Sequence, residues 1–196
     1  MGAPMSISPK KKQVGVVCAV LLIPLAASSA DKVPGPAALF KQVRALEQGG
    51  ALLPGSHLWM HGSRMVDYYT IDRANAIAVQ AATHGVARVT RFPAGSLYIK
   101  ENYDIHKVLK TVTAMLKVPG YDAADRDWVM AAYKPDGHLI AYGRVQSCIS
   151  CHALAASTDF TFAPGTRLPI TTVRQFFPGQ PISPAYRAAL AAHGSS

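Results

Sequence analysis

The spacing of apolar residues predicts helices early in the chain. Over residues 37–48 the apolar positions recur at intervals of three and four, which is the period of an amphipathic helix. These positions are Leu39, Phe40, Val43 and Leu46. Gly49 and Gly50 follow and end the helix. An alanine-rich stretch over residues 73–83 predicts a second helix, which ends near Gly85.

From residue 95 onward the period changes to two, which is typical of strands. Alternation over residues 95–103 places Leu97 and Ile99 on one face of a half-buried strand and Tyr98, Lys100 and Asn102 on the other. Further strands are predicted over residues 108–118, 128–133 and 138–142, and a turn over residues 134–137 joins the last two as a hairpin. Helices followed by an antiparallel meander predict an α+β fold with a predominantly antiparallel β-sheet.

The first thirty residues have the pattern of a cleavable secretory signal. Three lysines, Lys10 to Lys12, precede an apolar run over residues 14–25 that is too short to span a bilayer comfortably. Small residues at positions 28–30 form a cleavage site. An uncleaved membrane anchor is the alternative interpretation.

Four segments follow from these patterns. They are a signal peptide over residues 1–30, an N-terminal helix and linker over 31–56, a central domain over 57–162 and a C-terminal extension, rich in proline and glycine, over 163–196.

The net charge of the chain is +9. Removing the three signal lysines leaves 17 basic and 11 acidic residues, a net charge of +6. The basic residues are scattered, which favours ordinary solubility as the reason for the charge, with docking to an acidic redox partner protein as the alternative. No basic stripe with interleaved aromatic residues is present, and nucleic-acid binding is therefore not predicted.

The most specific chemical motif is the pentapeptide over residues 148–152, with the form C-x-x-C-H, which is the attachment signature of c-type haem. The thiols of Cys148 and Cys151 can form thioethers with the two haem vinyl groups, and His152 then becomes the proximal iron ligand. The motif predicts one covalently attached haem c, placed between the strands and a short helix over residues 153–156.

Other uses of the two cysteines fit less well. Cleavage of the signal removes Cys18, so the mature chain has no further cysteine. A disulfide across so short a loop would add little stability, a zinc site needs two more ligands, and a thioredoxin-like site needs a βαβ context. Because bacteria attach haem c outside the cytoplasm, the motif and the signal together predict a periplasmic protein.

Residues beyond the motif are candidates for contacts with the haem. Phe160 and Phe162 alternate just past it and are predicted cofactor-binding residues, with plain core packing as the alternative. Arg144 and His138 are candidates for holding the haem propionates, with a surface role as the alternative.

The position of the motif argues against the common all-helical electron carriers, in which it lies near the N-terminus with a methionine ligand downstream. No methionine follows Cys151. The candidates for a sixth ligand therefore lie upstream, and each has a core or surface role as its alternative. They are Met60, Met65, Met115 and Met130, and His57, His61, His84 and His106.

Seven short segments between residues 61 and 162 carry a family resemblance. They are His61-Gly62, residues 95–103, residues 117–122, Asp127-Trp128, residues 133–137, the haem motif, and residues 159–162. Taken in order they resemble the cytochrome P-460 family, over a little more than half of the chain. The resemblance implies that residues 57–162 form a predominantly β haem domain, often a homodimer, in the bacterial periplasm. It also places the chain beside the cytochromes c′-beta, which bind nitric oxide and carbon monoxide.

Family enzymes oxidise hydroxylamine at a five-coordinate haem whose porphyrin is bonded to a lysine nitrogen. The resemblance makes Lys100 the candidate catalytic residue, with a solvated or ion-paired lysine as the alternative and Lys110 and Lys117 as weaker candidates. Glu101 is the carboxylate nearest in sequence, but strand alternation points it away from Lys100. No catalytic base follows from the sequence.

Three functions follow from these observations. The first is a haem-dependent oxidoreductase that binds or oxidises a small nitrogen species, hydroxylamine or nitric oxide, at the iron. The second is a non-catalytic electron-transfer cytochrome with a six-coordinate haem, for which Met130 is a candidate ligand. The third is a protein that keeps the open iron site but only senses or stores nitric oxide.

Overall fold

The computed structural model of the chain describes residues 1–2 and 33–193. The predicted cleavage site and the apolar run before it lie outside the described residues. Within the described part, no helix is both long enough and apolar enough to cross a membrane.

An antiparallel sheet of seven strands forms the centre of the molecule. The strands are β1 (Ala51–Leu52), β2 (Met60–His61), β3 (Tyr69–Ala74), β4 (Leu97–Tyr103), β5 (Leu109–Lys117), β6 (Trp128–Tyr133) and β7 (Leu139–Gly143). Their order is β1-β3-β4-β5-β6-β7, and β2 also pairs with β3. All the pairings are antiparallel. The predicted α+β class with a mainly antiparallel sheet is confirmed, and β4 to β7 match the predicted strands closely.

Five α-helices accompany the sheet. They are α1 (Pro36–Gly49), α2 (Ala76–Ala81), α3 (Gln146–His152), α4 (Ile170–Phe176) and α5 (Pro184–His193). The apolar stripe of α1 buries Leu39 and Val43 against one face of the sheet, where they contact a cluster that includes Ile99 and Val129. The opposite face packs against α3 through a second cluster that includes Tyr98 and Ile149. We call these the α1 face and the α3 face.

Two covered faces correct the prediction for β4. The strand was expected to be half-buried, but Tyr98 on its α3 face and Ile99 on its α1 face are 8% and 2% exposed. Leu97, Tyr98 and Ile99 at the start of the strand are buried on both faces. Lys100 is the one exposed residue of β4, so the alternation of exposed and buried side chains is seen there only.

The predicted helix over residues 73–83 is wrong at its beginning. Arg73 and Ala74 belong to β3, and the helix starts only at Ala76. Pairing of Arg73 with Ile99 in the ladder overrides the helical preference of the alanines. Asn75 caps the helix, since its side-chain oxygen accepts hydrogen bonds from the amides of Ala78 (3.1 Å) and Leu97 (3.2 Å).

The predicted C-terminal extension contains α4 and α5 and has a small core of its own, in which Val173, Ile182 and Tyr186 are buried. It lies against the loop after β2: the amide of Ser183 donates to the carbonyl of Ser63 (3.0 Å), and the amide of Met65 donates to that of Pro181 (3.1 Å). The extension is therefore docked on the loop that follows β2.

Gly62 sits where the chain leaves β2, and no side chain fits there. A Cβ atom at this position would lie 1.6 Å from the carbonyl oxygen of Asp67. We expect Gly62→Ala to lower the free energy of unfolding by about 1–3 kcal/mol, because backbone must move to relieve the clash. Chemical denaturation measures the change.

The matched control is Gly49→Ala at the end of α1, where a Cβ atom meets nothing within 4 Å. We expect that variant to be as stable as the wild type or slightly more stable. Equal stability of the two variants would contradict the packing described at Gly62.

Candidate haem site

The C-x-x-C-H motif lies on α3, which begins at Gln146, soon after β7 ends at Gly143. The predicted helix over residues 153–156 is therefore misplaced, since the motif itself is α-helical and residues 153–158 form a 3₁₀ turn. Cys148 and Cys151 are three positions apart and so share one side of the helix. Both are free, half-buried thiols. Burial raises the pKa of each thiol, so both are protonated near neutral pH.

His152 ends α3 with one ring nitrogen already engaged. Its Nδ1 lies 2.7 Å from the carbonyl oxygen of Phe160. A carbonyl can only accept, so Nδ1 carries the proton and Nε2 is left as the nitrogen that can bind a metal. Burial lowers the pKa of His152, and the bond to Phe160 opposes that shift only in part. The imidazole is therefore neutral near pH 7, as an iron ligand must be.

The carbonyl of Phe160 reaches His152 because the chain turns sharply after the 3₁₀ segment. Asp159 and Phe160 have φ angles of 55° and 64°, in the left-handed region. The amide of Phe160 donates to the carbonyl of Ala155 (2.9 Å). The hydroxyl of Thr158 donates to the carbonyl of Thr161 (2.7 Å) and closes the turn. We call residues 158–161 the acceptor turn.

A buried ion pair anchors the acceptor turn to the sheet. Lys117 at the end of β5 and Asp159 are 1% and 0% exposed, with 2.6 Å between Nζ and Oδ2. The same carboxylate oxygen accepts from the amide of Phe92 (2.7 Å), and the indole nitrogen of Trp128 donates to the carbonyl of Asp159 (2.7 Å). Burial lowers the pKa of Lys117, and Asp159 opposes the shift.

Lys117 is thereby excluded from a bond to the porphyrin. Its amino group also donates to the carbonyl of Arg126 (2.5 Å) and lies 4.5 Å above the ring of Trp128. Lys110 is engaged as well, in an ion pair with Asp104 at 3.1 Å.

Lys100 lies on the α3 face of β4, with an exposed side chain. Its positive charge opposes the rise that burial causes in the pKa of the Cys151 thiol, and it adds to the fall in the pKa of His152. Among the described residues it has no ion pair within 4.0 Å. Of the three candidate lysines, Lys100 is therefore the one that has no ion pair in the described part of the chain and whose charge acts on the motif.

Asp72 is a residue that the sequence interpretation missed. It pairs with Lys100 in the β3–β4 ladder and lies on the same face. Its Oδ1 atom is buried without a hydrogen-bond partner in the described structure. Burial raises the pKa of Asp72, while the charge of Lys100 lowers it. Alternation would have identified Asp72 if β3 had been predicted.

Glu101 lies on the α1 face, as alternation predicted. Its carboxylate accepts hydrogen bonds from Arg73 (2.9 Å) and from the hydroxyl of Tyr103 (2.7 Å). The nearest carboxylate in sequence is thus separated from Lys100 by the thickness of the sheet.

The two predicted phenylalanines have different surroundings. Phe162 is half-buried, with its ring centroid 5.5 Å from that of His152. Phe160 is 7% exposed and packs in the core of the α3 face, so its backbone carbonyl, rather than its ring, contacts the histidine.

The candidates for a sixth iron ligand, and the candidate propionate partners His138 and Arg144, differ in exposure. His57, His61, His84, His106 and His138 are exposed. Arg144 forms ion pairs with Asp122 (3.1 Å) and Asp125 (2.8 Å). Its guanidinium group is therefore already paired and is a weaker candidate for binding a haem propionate. Met115 and Met130 are 5% and 2% exposed in the core of the α3 face. Within the described residues, no group of three or more His, Cys, Asp or Glu side chains could hold a bare metal ion.

The donor set fits a haem. Two thiols on one side of a short helix match the two vinyl groups, and a neutral imidazole with Nε2 available matches the proximal iron position.

Comparison with known proteins agrees with this geometry. The model of the cytochrome P460 family matches residues 42–163, which is more than half of the chain. No curated protein matches the chain. The C-terminal helices lie beyond the matched segment, whereas the sheet from β1 to β7, the haem motif and the acceptor turn lie within it. The chain belongs to the cytochrome P460 family and is a haem protein of the kind that acts on nitrogen species.

Proposed function

We propose that this protein is a periplasmic c-type haem protein that binds or oxidises a small nitrogen species, hydroxylamine or nitric oxide. One haem c is attached through Cys148 and Cys151, with His152 as its proximal ligand. The bound haem supplies an iron that exchanges electrons and coordinates the nitrogen atom.

The observation that carries the proposal is the state of His152. Its Nδ1 is committed to Phe160, and its other nitrogen is available for the iron. Every other histidine with a described side chain is exposed and has no described hydrogen bond or ring contact with residues 148–152, which favours an iron with one protein ligand and one open position. The alternative is a six-coordinate electron carrier. The observation that favours it is that Met130 is buried on the α3 face, the side of the sheet that packs against the motif helix.

Lys100 and Asp72 supply the polar chemistry of the site. Oxidation of hydroxylamine releases protons as well as electrons, so a base must be near the substrate. Asp72 has a buried oxygen without a partner and a raised pKa, which suits a carboxylate that accepts protons near neutral pH. Lys100 is the lysine available for a bond to the porphyrin. The electrons leave to a redox partner protein, and the family resemblance favours a homodimer.

Attachment of the haem is tested by replacing both cysteines. We expect the Cys148→Ala, Cys151→Ala double variant, co-expressed with a haem c assembly system, to lose all haem on acid–acetone extraction. Ser150→Ala, between the two cysteines, is the control and should retain it. Mass spectrometry of the unfolded chains reads both results. Haem that stays with the double variant would refute thioether attachment.

Lys100 is tested by the ferrous absorption spectrum. A bond from its nitrogen to the porphyrin should give a broad, strongly red-shifted Soret band, because the bond distorts the macrocycle. We expect Lys100→Arg, which keeps the charge, to restore an ordinary c-type band, and Lys110→Arg to leave the red shift unchanged.

An ordinary Soret band in the wild type would instead remove the cross-link and favour binding of nitric oxide. If sharp α and β bands accompany it, the haem is six-coordinate and the electron-transfer alternative holds.

Asp72 is tested by turnover of hydroxylamine. We expect Asp72→Asn to lower the rate about 10²-fold, within the range typical for loss of a general base, and to leave nitric oxide affinity nearly unchanged. Glu101→Gln is the matched control, since it makes the same chemical change on the α1 face. Equal losses in the two variants would exclude Asp72 as the proton acceptor.

A further inference from the structure

The ion pair between Lys117 and Asp159 lies directly behind the acceptor turn. Asp159 is joined by one peptide bond to Phe160, whose carbonyl accepts the proton of His152 Nδ1 at 2.7 Å. A continuous set of short contacts therefore leads from Lys117 on β5 to the imidazole. We propose that Lys117 and Asp159 are positioning residues that set how strongly His152 binds the iron and, through it, the reduction potential. The inference rests on the proposed ligation of iron by His152.

The acceptor turn does not hold its conformation by itself. Asp159 and Phe160 are consecutive residues with positive φ, and for a bulky residue such as Phe160 this conformation is unfavourable. Surrounding contacts must therefore stabilise it. Three donors from separate parts of the chain converge on Asp159: the amino group of Lys117, the amide of Phe92 and the indole of Trp128, at 2.6, 2.7 and 2.7 Å.

These contacts are out of reach of water. Trp128 and Asp159 are fully buried, and Lys117 is 1% exposed. A neutral replacement at Asp159 leaves the Lys117 charge without its partner in the interior, which is strongly unfavourable. The turn then shifts to relieve that cost, and the carbonyl of Phe160 moves away from its alignment with Nδ1.

The alignment matters because a hydrogen bond at Nδ1 makes the imidazole a more basic ligand. A more basic ligand stabilises the ferric state relative to the ferrous state, so it lowers the reduction potential. A weakened bond should therefore raise the potential. It should also weaken the iron–histidine bond, so that nitric oxide, binding on the other side, displaces His152 more readily.

The experiment compares Asp159→Asn with the wild type as the haem-loaded protein. We expect a higher midpoint potential in spectroelectrochemical titration, and a larger fraction of five-coordinate ferrous nitrosyl in the absorption and electron paramagnetic resonance spectra. Both are read without measuring turnover.

The matched control is Glu101→Gln, which breaks the ion pair with Arg73 (2.9 Å) on the α1 face of the same sheet. It should lower the stability and leave the potential and the nitrosyl spectra as in the wild type. If Asp159→Asn shifts neither readout, or if Glu101→Gln shifts both equally, the positioning role is refuted.

Trp128→Phe provides a second variant that keeps the ion pair and most of the core. It removes the indole donor to the Asp159 carbonyl and makes the ring beside the Lys117 amino group smaller, so it should shift both readouts in the same direction by a smaller amount. If Asp159→Asn does not fold, Trp128→Phe alone tests whether a disturbance at Asp159 reaches His152. No shift of either readout in Trp128→Phe then refutes the inference. A wild-type haem without a histidine ligand would refute the proposed function. A histidine-ligated haem whose readouts change in neither variant would refute only the positioning role of Lys117 and Asp159.

Discussion

The buried ion pair between Lys117 and Asp159 is the interaction on which the site depends. It joins the end of β5 to the turn that follows the haem motif, and Trp128 on β6 donates to the same aspartate. A charge pair without solvent is costly to assemble and more costly to break, so it favours one arrangement of the chain over near alternatives. That arrangement delivers a carbonyl to Nδ1 of His152 and leaves Nε2 for a metal.

Because side chains alternate along a strand, the two faces of the sheet carry different polar groups from the same two strands. On the α1 face, Arg73 and Glu101 form an ion pair that also engages Tyr103. On the α3 face, Asp72 and Lys100 pair across the two strands; within the described residues, Asp72 Oδ1 has no hydrogen-bond partner and Lys100 has no ion pair. Neighbouring positions of the same two strands therefore form an ion pair on the α1 face and carry the two residues that we propose for the site chemistry on the α3 face.

Much of the fold was predictable because local signals agree with it. The 3.6-residue period marked α1, and the turn before His138 marked the hairpin of β6 and β7. β3 was missed because its residues are selected by pairing with β4 rather than by a pattern of their own. In the site, the motif predicted the cysteines and His152, and the resemblance indicated Lys100. The roles of Asp72 and of the Phe160 carbonyl depend on long-range placement, which no local pattern records.

The central claim is that His152 is the one protein ligand of the iron and that the opposite position is open. The most direct measurement is the electron paramagnetic resonance spectrum of the ferric, haem-loaded protein at neutral pH. We expect a high-spin signal, as given by a five-coordinate iron with one imidazole. A low-spin signal in the wild type that disappears in Met130→Leu would show a second protein ligand and contradict it.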